Sequence, residues 1–231
     1  MNVLIGADIV PTKSNEELFE NGKKEKLIGE GLSKIMDKAS YIIMNLEVPL
    51  VDKKTPIEKC GPNLIASTKS ITGLKKINPY FYTLANNHIF DQGEEGLKST
   101  CKILEVNNIS YAGVGKNLKE MRKFHIAEFG NLKLGIYCCA EHEFSIATEN
   151  LMGANPFDIL YAFDDVKGLK EKCDKVIVLY HGGKEHYRYP SPNLRRIFCK
   201  FAEVGADYII AQHTHCIGCM EEYNGAYLIY G

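Results

Sequence analysis

Five apolar runs in this chain end on side chains that bind cations or carry protons. Val3-Leu4-Ile5-Gly6-Ala7 ends at Asp8, and Tyr41–Met44 ends in Asn45-Leu46-Glu47. Phe81–Ala85 ends in Asn86-Asn87-His88, Val176–Tyr180 in His181-Gly182-Gly183, and Tyr208–Ala211 in Gln212-His213-Thr214-His215. If these runs are parallel strands, their terminal groups converge on one sheet edge, where open α/β sheets bind ligands. Carboxylates, an amide and imidazoles gathered there are costly to desolvate unpaired, and a divalent cation removes that cost by coordinating them. Such mixed donors suit Mn, Fe or Zn. The supply exceeds the needs of one four-coordinate ion, so one or two divalent metal ions are expected. Paired ions can clamp the attacking and leaving oxygens of a displacement.

Each piece alone has an ordinary explanation. Asp8 reads as a turn or cap, Glu47 as a solvated strand end, and Asn86-Asn87 as a turn. The pair His213 and His215 is more informative, because an i,i+2 spacing in extended chain puts both rings on one side. Five of the seven histidines (His88, His181, His186, His213, His215) fall in these segments.

The elements that must position these groups follow from periodicity. Strands are expected at Asn2–Gly6, Tyr41–Asn45, Tyr80–Leu84, Ile109–Ala112, His125–Phe129, Leu132–Cys138, Lys175–Tyr180, Asp207–Ala211 and Ala226–Tyr230. Helices are expected at Glu25–Lys38, Lys69–Ile77, Glu94–Asn107, Phe163–Lys172 and Pro192–Val204, the third with Leu97, Cys101, Leu104 and Val106 on one side. This alternation predicts an α/β domain. Lys53–Thr68 and Ser145–Ile159 read as long loops, which tend to be functional or mobile.

Composition narrows the functional classes. The chain has 231 residues, 45% hydrophobic and 25% charged, with 28 basic and 29 acidic side chains. That is an ordinary globular profile, and its near-zero net charge argues against nucleic-acid binding through bulk positive charge. No apolar run approaches the ~18 residues of a membrane span. The opening Met1–Asp8 has no basic region ahead of a long apolar stretch, so no signal peptide and a cytoplasmic location are expected. Cys60, Cys101, Cys138, Cys139, Cys173 and Cys199 read as reduced core thiols. Cys216 and Cys219 form a CxxC that could join His213 and His215 in a local zinc site, but a second ligand pair is lacking. Gly113-Val114-Gly115 could cradle phosphate, yet an ordinary turn fits better. Arg195 and Arg196 read as a solvated helix face.

The motifs in combination resemble the CapA family, the poly-γ-glutamate capsule synthesis proteins, whose fold is calcineurin-like. The matching stretches are Gly6-Ala7-Asp8, Asn45-Leu46-Glu47-Val48-Pro49, Ala85-Asn86-Asn87-His88-Ile89-Phe90-Asp91-Gln92-Gly93, His181–Tyr187, Pro190-Ser191-Pro192, Gly205-Ala206-Asp207 and Gln212-His213-Thr214-His215. They occur in the family's order and cover nearly the whole chain as a single domain, 1–231. The resemblance implies a four-layer αββα sandwich with the metal site at the strand C-termini. It implies Asp8, Glu47, Asn87, His181, His213 and His215 as metal ligands, Glu47 bridging. It implies His88 as a proton donor oriented by Asp91, and Glu185 as a proton shuttle or substrate contact. Asn45, His186, Tyr187 and Arg188 are expected to meet the substrate. Two departures stand out: phosphatases of this fold usually open with DxH, where this chain has Val10, and the second acidic motif is NLE rather than GD. The GNF segment that normally follows the family's final strand is absent, so the chain is expected to lack a C-terminal portion.

Two functions follow. The first is a metal-dependent hydrolase in which metal-activated water attacks a phosphoester, or an amide of a polyglutamate-like chain. The second is a non-catalytic component of a capsule system that holds an anionic polymer in the same cleft. A zinc-stabilised module at His213–Cys219 is a remoter third. An anionic small molecule or polymer is the expected partner in the first two.

Overall fold

The computed structural model describes residues 2–141 and 143–231, and the chain divides into two compact units. The first runs up to Leu84 and continues over His88–Tyr111; the second holds Ala85–Asn87 and Ala112–Gly231.

In the first unit β1 (Val3–Ile9), β2 (Tyr41–Leu46), β3 (Phe81–Thr83) and β4 (Ser110–Ala112) form a sheet in that order. β1, β2 and β3 run parallel. β2 is buried along its whole length, as an interior parallel strand should be, whereas β1 at the edge is only half-buried. Ile5 pairs with Ile43 but Asp8 with Asn45, so β1 takes up one extra residue between them. That bulge re-aims the strand end that carries Asp8. Gly6 permits it, because a Cβ there would lie 2.2 Å from Met44 Sδ.

The helices of this unit are α1 (Glu16–Glu20), α2 (Lys24–Met36), α3 (Ile71–Ile77) and α4 (Gly93–Val106). α4 buries Gly96, Leu97, Thr100 and Leu104, one helical face. Val106, expected on that face, is 72% exposed. It lies two residues beyond Leu104, about 200° around the helix, and so points away. α2 is broken at Gly29 (φ 74°, ψ 159°), where one continuous helix was expected. α1 has too few turns to leave a periodic signal in the sequence.

The second unit contains β5 (Val114–Gly115), β6 (His125–Phe129), β7 (Leu132–Ala140), β8 (Gly153–Ala154), β9 (Lys175–His181), β10 (Tyr208–Gln212), β11 (Met220–Tyr223) and β12 (Ala226–Ile229). Its helices are α5 (Leu118–Met121), α6 (Ala162–Lys170) and α7 (Pro192–Glu203). Six strands form a sheet in the order β11-β12-β10-β9-β7-β6, with β7, β9, β10 and β12 parallel. β11 was not anticipated, although Asn224-Gly225 (φ 52° and 76°) is the hairpin signal that joins it to β12.

α7 shows how sequence sets packing. Ser191 caps it by accepting from Leu194 N at 3.1 Å, and Pro192 opens it. Leu194, Ile197, Phe198, Phe201 and Ala202 then fall on one buried face. Phe201 meets Phe163 at 4.9 Å and Phe157 at 5.8 Å between ring centroids.

Asp207, part of the Gly205-Ala206-Asp207 motif, is a clamp. It accepts from Lys170 Nζ at 2.8 Å, Lys175 Nζ at 2.7 Å and Val176 N at 2.8 Å. Burial pushes its carboxyl pKa up, but these three donors outweigh it and hold the group below the ordinary carboxylate value. The thiols divide: Cys138, Cys139, Cys173 and Cys199 are buried, whereas Cys60 is exposed and Cys101 intermediate, contrary to expectation. Gly113 and Gly115 are close-packing residues rather than a cradle; a Cβ at Gly115 would lie 2.3 Å from Met121 N. Among the described residues, no helix is long and apolar enough to cross a membrane.

Two outcomes follow for stability. Phe201→Ala should lower the unfolding free energy by about 3–5 kcal/mol, read by urea denaturation; a loss below 1 kcal/mol would mean the aromatic cluster is not a keystone of this unit. Asp207 has a lowered folded-state pKa, so its contribution is present above the unfolded value near 3.8 and is lost as pH falls through the folded one. The stability gap between the wild type and Asp207→Asn should therefore be widest near neutral pH and shrink below about pH 4.

Candidate functional site

Each parallel sheet delivers its own set of donors at its C-terminal edge. In the first unit these are Asp8, Glu47 and His88. Asp8 is held in place by Asn45, whose Nδ2 donates to Asp8 Oδ1 at 2.7 Å. Asn45 was expected to meet a substrate; it is fully buried and its amide is turned to Asp8. Glu47 follows β2, with its backbone N–H donating to Ile9 O at 3.2 Å and only 1% of the residue exposed.

His88 opens the turn that leads to α4. Its Nδ1 lies 2.6 Å from Asp91 Oδ2, the pairing expected of these two residues. An ionised carboxylate only accepts, so Nδ1 carries the proton and Nε2 is the ring's other working nitrogen. Asp91 is fully buried and also accepts from Leu64 N at 2.6 Å and from Lys59 Nζ. Lys59 escaped the sequence reading. It lies in the long Lys53–Thr68 loop, and nothing in its spacing marks it.

In the second unit the donors follow β9 and β10, with Asn87 beside them. His181 Nε2 lies 2.9 Å from Asn87 Oδ1, so two groups of metal-ligand type point at one spot. The His181 and His213 rings lie 4.9 Å apart between centroids, and those of His213 and His215 5.9 Å. The i,i+2 argument for the last pair reached the right neighbours by the wrong backbone. β10 stops at Gln212, and His213 (φ 89°) and His215 (φ 54°) are left-handed rather than extended. Glu185 Oε1 sits 3.9 Å from His213 Nε2 and 3.8 Å from His215 Nε2.

Glu141 is the other residue that the reading missed. It follows β7 as His181 ends β9, and its backbone N–H donates to His181 O at 2.9 Å. Its carboxylate accepts from Tyr180 Oη at 3.0 Å and Gly183 N at 3.1 Å. Burial, then the Glu141 charge, pushes the Tyr180 phenol well up, so it stays a donor. Gly183 (φ 99°) supplies the backbone turn that this contact needs. The signal was available: the apolar run through β7 also ends on an acid. Asn87, Glu141, Glu143, His181, Gly182 and His213 line a cleft of ≈ 10 Å³, room for one water or small ion.

The segment after His181 is exposed. Tyr187 and Arg188 face solvent, and His186 (φ 62°) is tied by its N–H to Thr214 O at 2.8 Å. Lys184 Nζ lies 3.9 Å above the Tyr187 ring, and its hydrogen bond and charge lower the Tyr187 phenol pKa. Cys216 and Cys219 are free thiols. Among the described residues neither belongs to a cluster of three candidate metal ligands, so the CxxC zinc module finds no support.

Known proteins place the chain. It is 26% identical over 208 residues to the capsule biosynthesis protein CapA of Bacillus anthracis, covering 86% of this chain and 51% of that protein. It is 26% identical over 228 residues to the PGA biosynthesis protein CapA of Bacillus subtilis, covering 96% and 60%. The chain thus spans about half to three-fifths of the length of these relatives. Its fold is similar to that of a novel phosphatase from Mycoplasma pneumoniae, with a TM-score of 0.58 at 18% identity, covering 98% of this chain and 69% of that one. The fold is therefore α/β of the metallophosphatase type. The family model of the bacterial capsule synthesis protein PGA_cap matches residues 3–231, and the chain belongs to that family.

Proposed function

We propose that residues 1–231 act as one catalytic domain of a capsule or poly-γ-glutamate synthesis protein. It hydrolyses a phosphoester-type bond of an anionic substrate with one or two divalent cations, Mn, Fe or Zn. The observation that carries this reading is the His88–Asp91 pair at 2.6 Å, with Asp91 wholly buried, in a chain whose two sheets both have parallel strands ending in metal-ligand residues.

The donor set fits such ions in kind: carboxylates, an amide oxygen and imidazoles. In the first unit Asp8, oriented by Asn45, and the buried Glu47 would hold a cation by carboxylate. In the second unit Asn87, His181, His213 and His215 are the residues that would hold a cation. Asn87 and His88 are consecutive residues, one counted in each unit. A bound divalent cation supplies Lewis acidity and lowers the pKa of a water.

The remaining roles belong to the chain. His88 enters the step as an imidazolium with its Nδ1–H held by Asp91, gives the Nε2 proton to the departing oxygen, and is left as the neutral ring protonated on Nδ1. Glu185, within 4 Å of two imidazoles, takes up the proton that the attacking water releases. His186, Tyr187 and Arg188, on an exposed segment, bind the anionic part of the substrate. Arg188 offers the fork geometry suited to phosphate or carboxylate.

The second reading is a binding component without turnover, and Val10 favours it. Where phosphatases of this fold usually carry a histidine two places after the first aspartate, an aliphatic side chain offers no donor.

Two measurements separate these readings. After loading with Mn, Fe or Zn, elemental analysis should find about one or two ions per chain. His181→Ala and Asp8→Asn should each lose metal by tenfold or so; full retention in both would remove these residues from the ligand set. On p-nitrophenyl phosphate and a panel of γ-glutamyl peptides under Mn, His88→Ala should lower kcat by about 10²–10⁴ with metal content unchanged. Binding of polyglutamate with no product from any substrate would favour the second reading.

A further inference from the structure

We infer that Lys59 is a positioning residue for His88, acting through Asp91; the inference rests on the hydrolase reading above. Lys59 touches no ligand directly, since its side chain is only 4% exposed. A lysine that captures an anion needs an open ammonium group. This one is spent on Asp91, whose side chain is wholly buried.

The arrangement of Asp91 explains what the lysine does. One carboxylate oxygen, Oδ1, meets Lys59 Nζ; the other, Oδ2, accepts from Leu64 N and from His88 Nδ1, each at 2.6 Å. Both oxygens are thus held by separate donors, which restrains the rotation of the carboxylate plane. Fixing that plane fixes the direction in which the imidazole can donate, and with it the ring's tautomer. Lys59 Nζ also lies 3.4 Å from His88 Nδ1, so the three groups form one compact cluster. A buried carboxylate with no cation beside it is costly, so removing the ammonium leaves Asp91 to the Leu64 N–H and the His88 ring.

The loop that carries Lys59 is built to deliver it. Thr55 N and Oγ1 donate to Gln92 Oε1 and O at 2.8 and 2.7 Å. Ile57 N donates to Asp91 O at 3.1 Å, and Gln92 Nε2 donates to Leu64 O at 2.9 Å. Residues 55–64 are strapped on both sides of Lys59 to the same two residues, Asp91 and Gln92. Gly93 (φ 60°) turns the chain immediately after them. A segment without regular structure is thereby held in register with His88.

The test uses the whole chain and reads the ring directly. Long-range ¹H–¹⁵N correlation spectra of the metal-free protein, at a pH of about 8.5, above the imidazole range, report which ring nitrogen of His88 is protonated. The wild type should show one tautomer with the proton on Nδ1. Lys59→Met should lose that single state, as should Asp91→Asn. Under turnover of p-nitrophenyl phosphate with Mn, Lys59→Met should lower kcat about tenfold with KM within about twofold, and should add nothing in a His88→Ala background. Lys59→Gln, which keeps an N–H donor and loses the charge, carries the same readouts if Lys59→Met is too unstable. A folded Lys59 variant that keeps the wild-type tautomer overturns the inference, as does a full further loss in the His88→Ala background. If the tautomer shifts as expected but no substrate is ever turned over, the positioning link stands and the hydrolase reading fails.

Discussion

Parallel pairing is the constraint on which this structure depends. Strands that run the same way must end at the same edge, so whatever residue follows each strand is brought to that edge without any further device. In the first sheet this gathers Asp8, Glu47 and His88; in the second it gathers Glu141, His181 and His213. The cost is desolvation of polar groups at the end of buried strands. The structure meets it locally, with Asn45 turned to Asp8 and the Gly183 backbone and Tyr180 hydroxyl turned to Glu141. Fine adjustment then falls to the backbone: the β1 bulge aims Asp8, and it exists only because Gly6 leaves room for Met44.

Two aspartates show how one electrostatic solution serves two ends. Asp207 and Asp91 each accept from a backbone N–H and pair with lysine. At Asp207 the remaining partner is a second lysine, and the result is a clamp at the base of β9 and β10. At Asp91 the remaining partner is an imidazole, and the same balanced carboxylate fixes the direction of a ring. What distinguishes a supporting ion pair from a working one here is the third group, not the burial.

Much of this was legible in the sequence because it rests on local pattern. Apolar runs with an acid, amide or imidazole at the end gave the strand edges, and periodicity gave the helix from Pro192. The His88–Asp91 pairing came from the resemblance to the CapA family rather than from a local rule, and the two lie 2.6 Å apart. What failed was non-local or too short. Lys59 meets Asp91 across 32 residues of chain, through a loop with no period, so no window on the sequence connects them. The left-handed backbone at His213 and His215 is set by the end of β10, not by the residues' own preferences, and it defeated an argument that assumed extended chain. Val106 was misplaced by counting it onto a face that its position, two residues past Leu104, excludes. Glu141 was missed although its signal was of the same kind as the others, because the strand was ended two residues early.

The support given to each residue also separates chemistry from recognition. Asp91, Glu47, His181 and His213 are buried, and Asp91 and His181 have identified partners at short range. Such groups lose little further freedom when a ligand arrives, so their geometry serves any substrate alike. Residues Lys184 to Tyr189 are exposed, and the Lys184 ammonium lies over the Tyr187 ring. Side chains of that kind keep rotamer freedom that the buried set has already lost. A fold shared with phosphatases at 18% identity is compatible with this division, because the backbone edge that holds the donors can persist while the exposed segment changes.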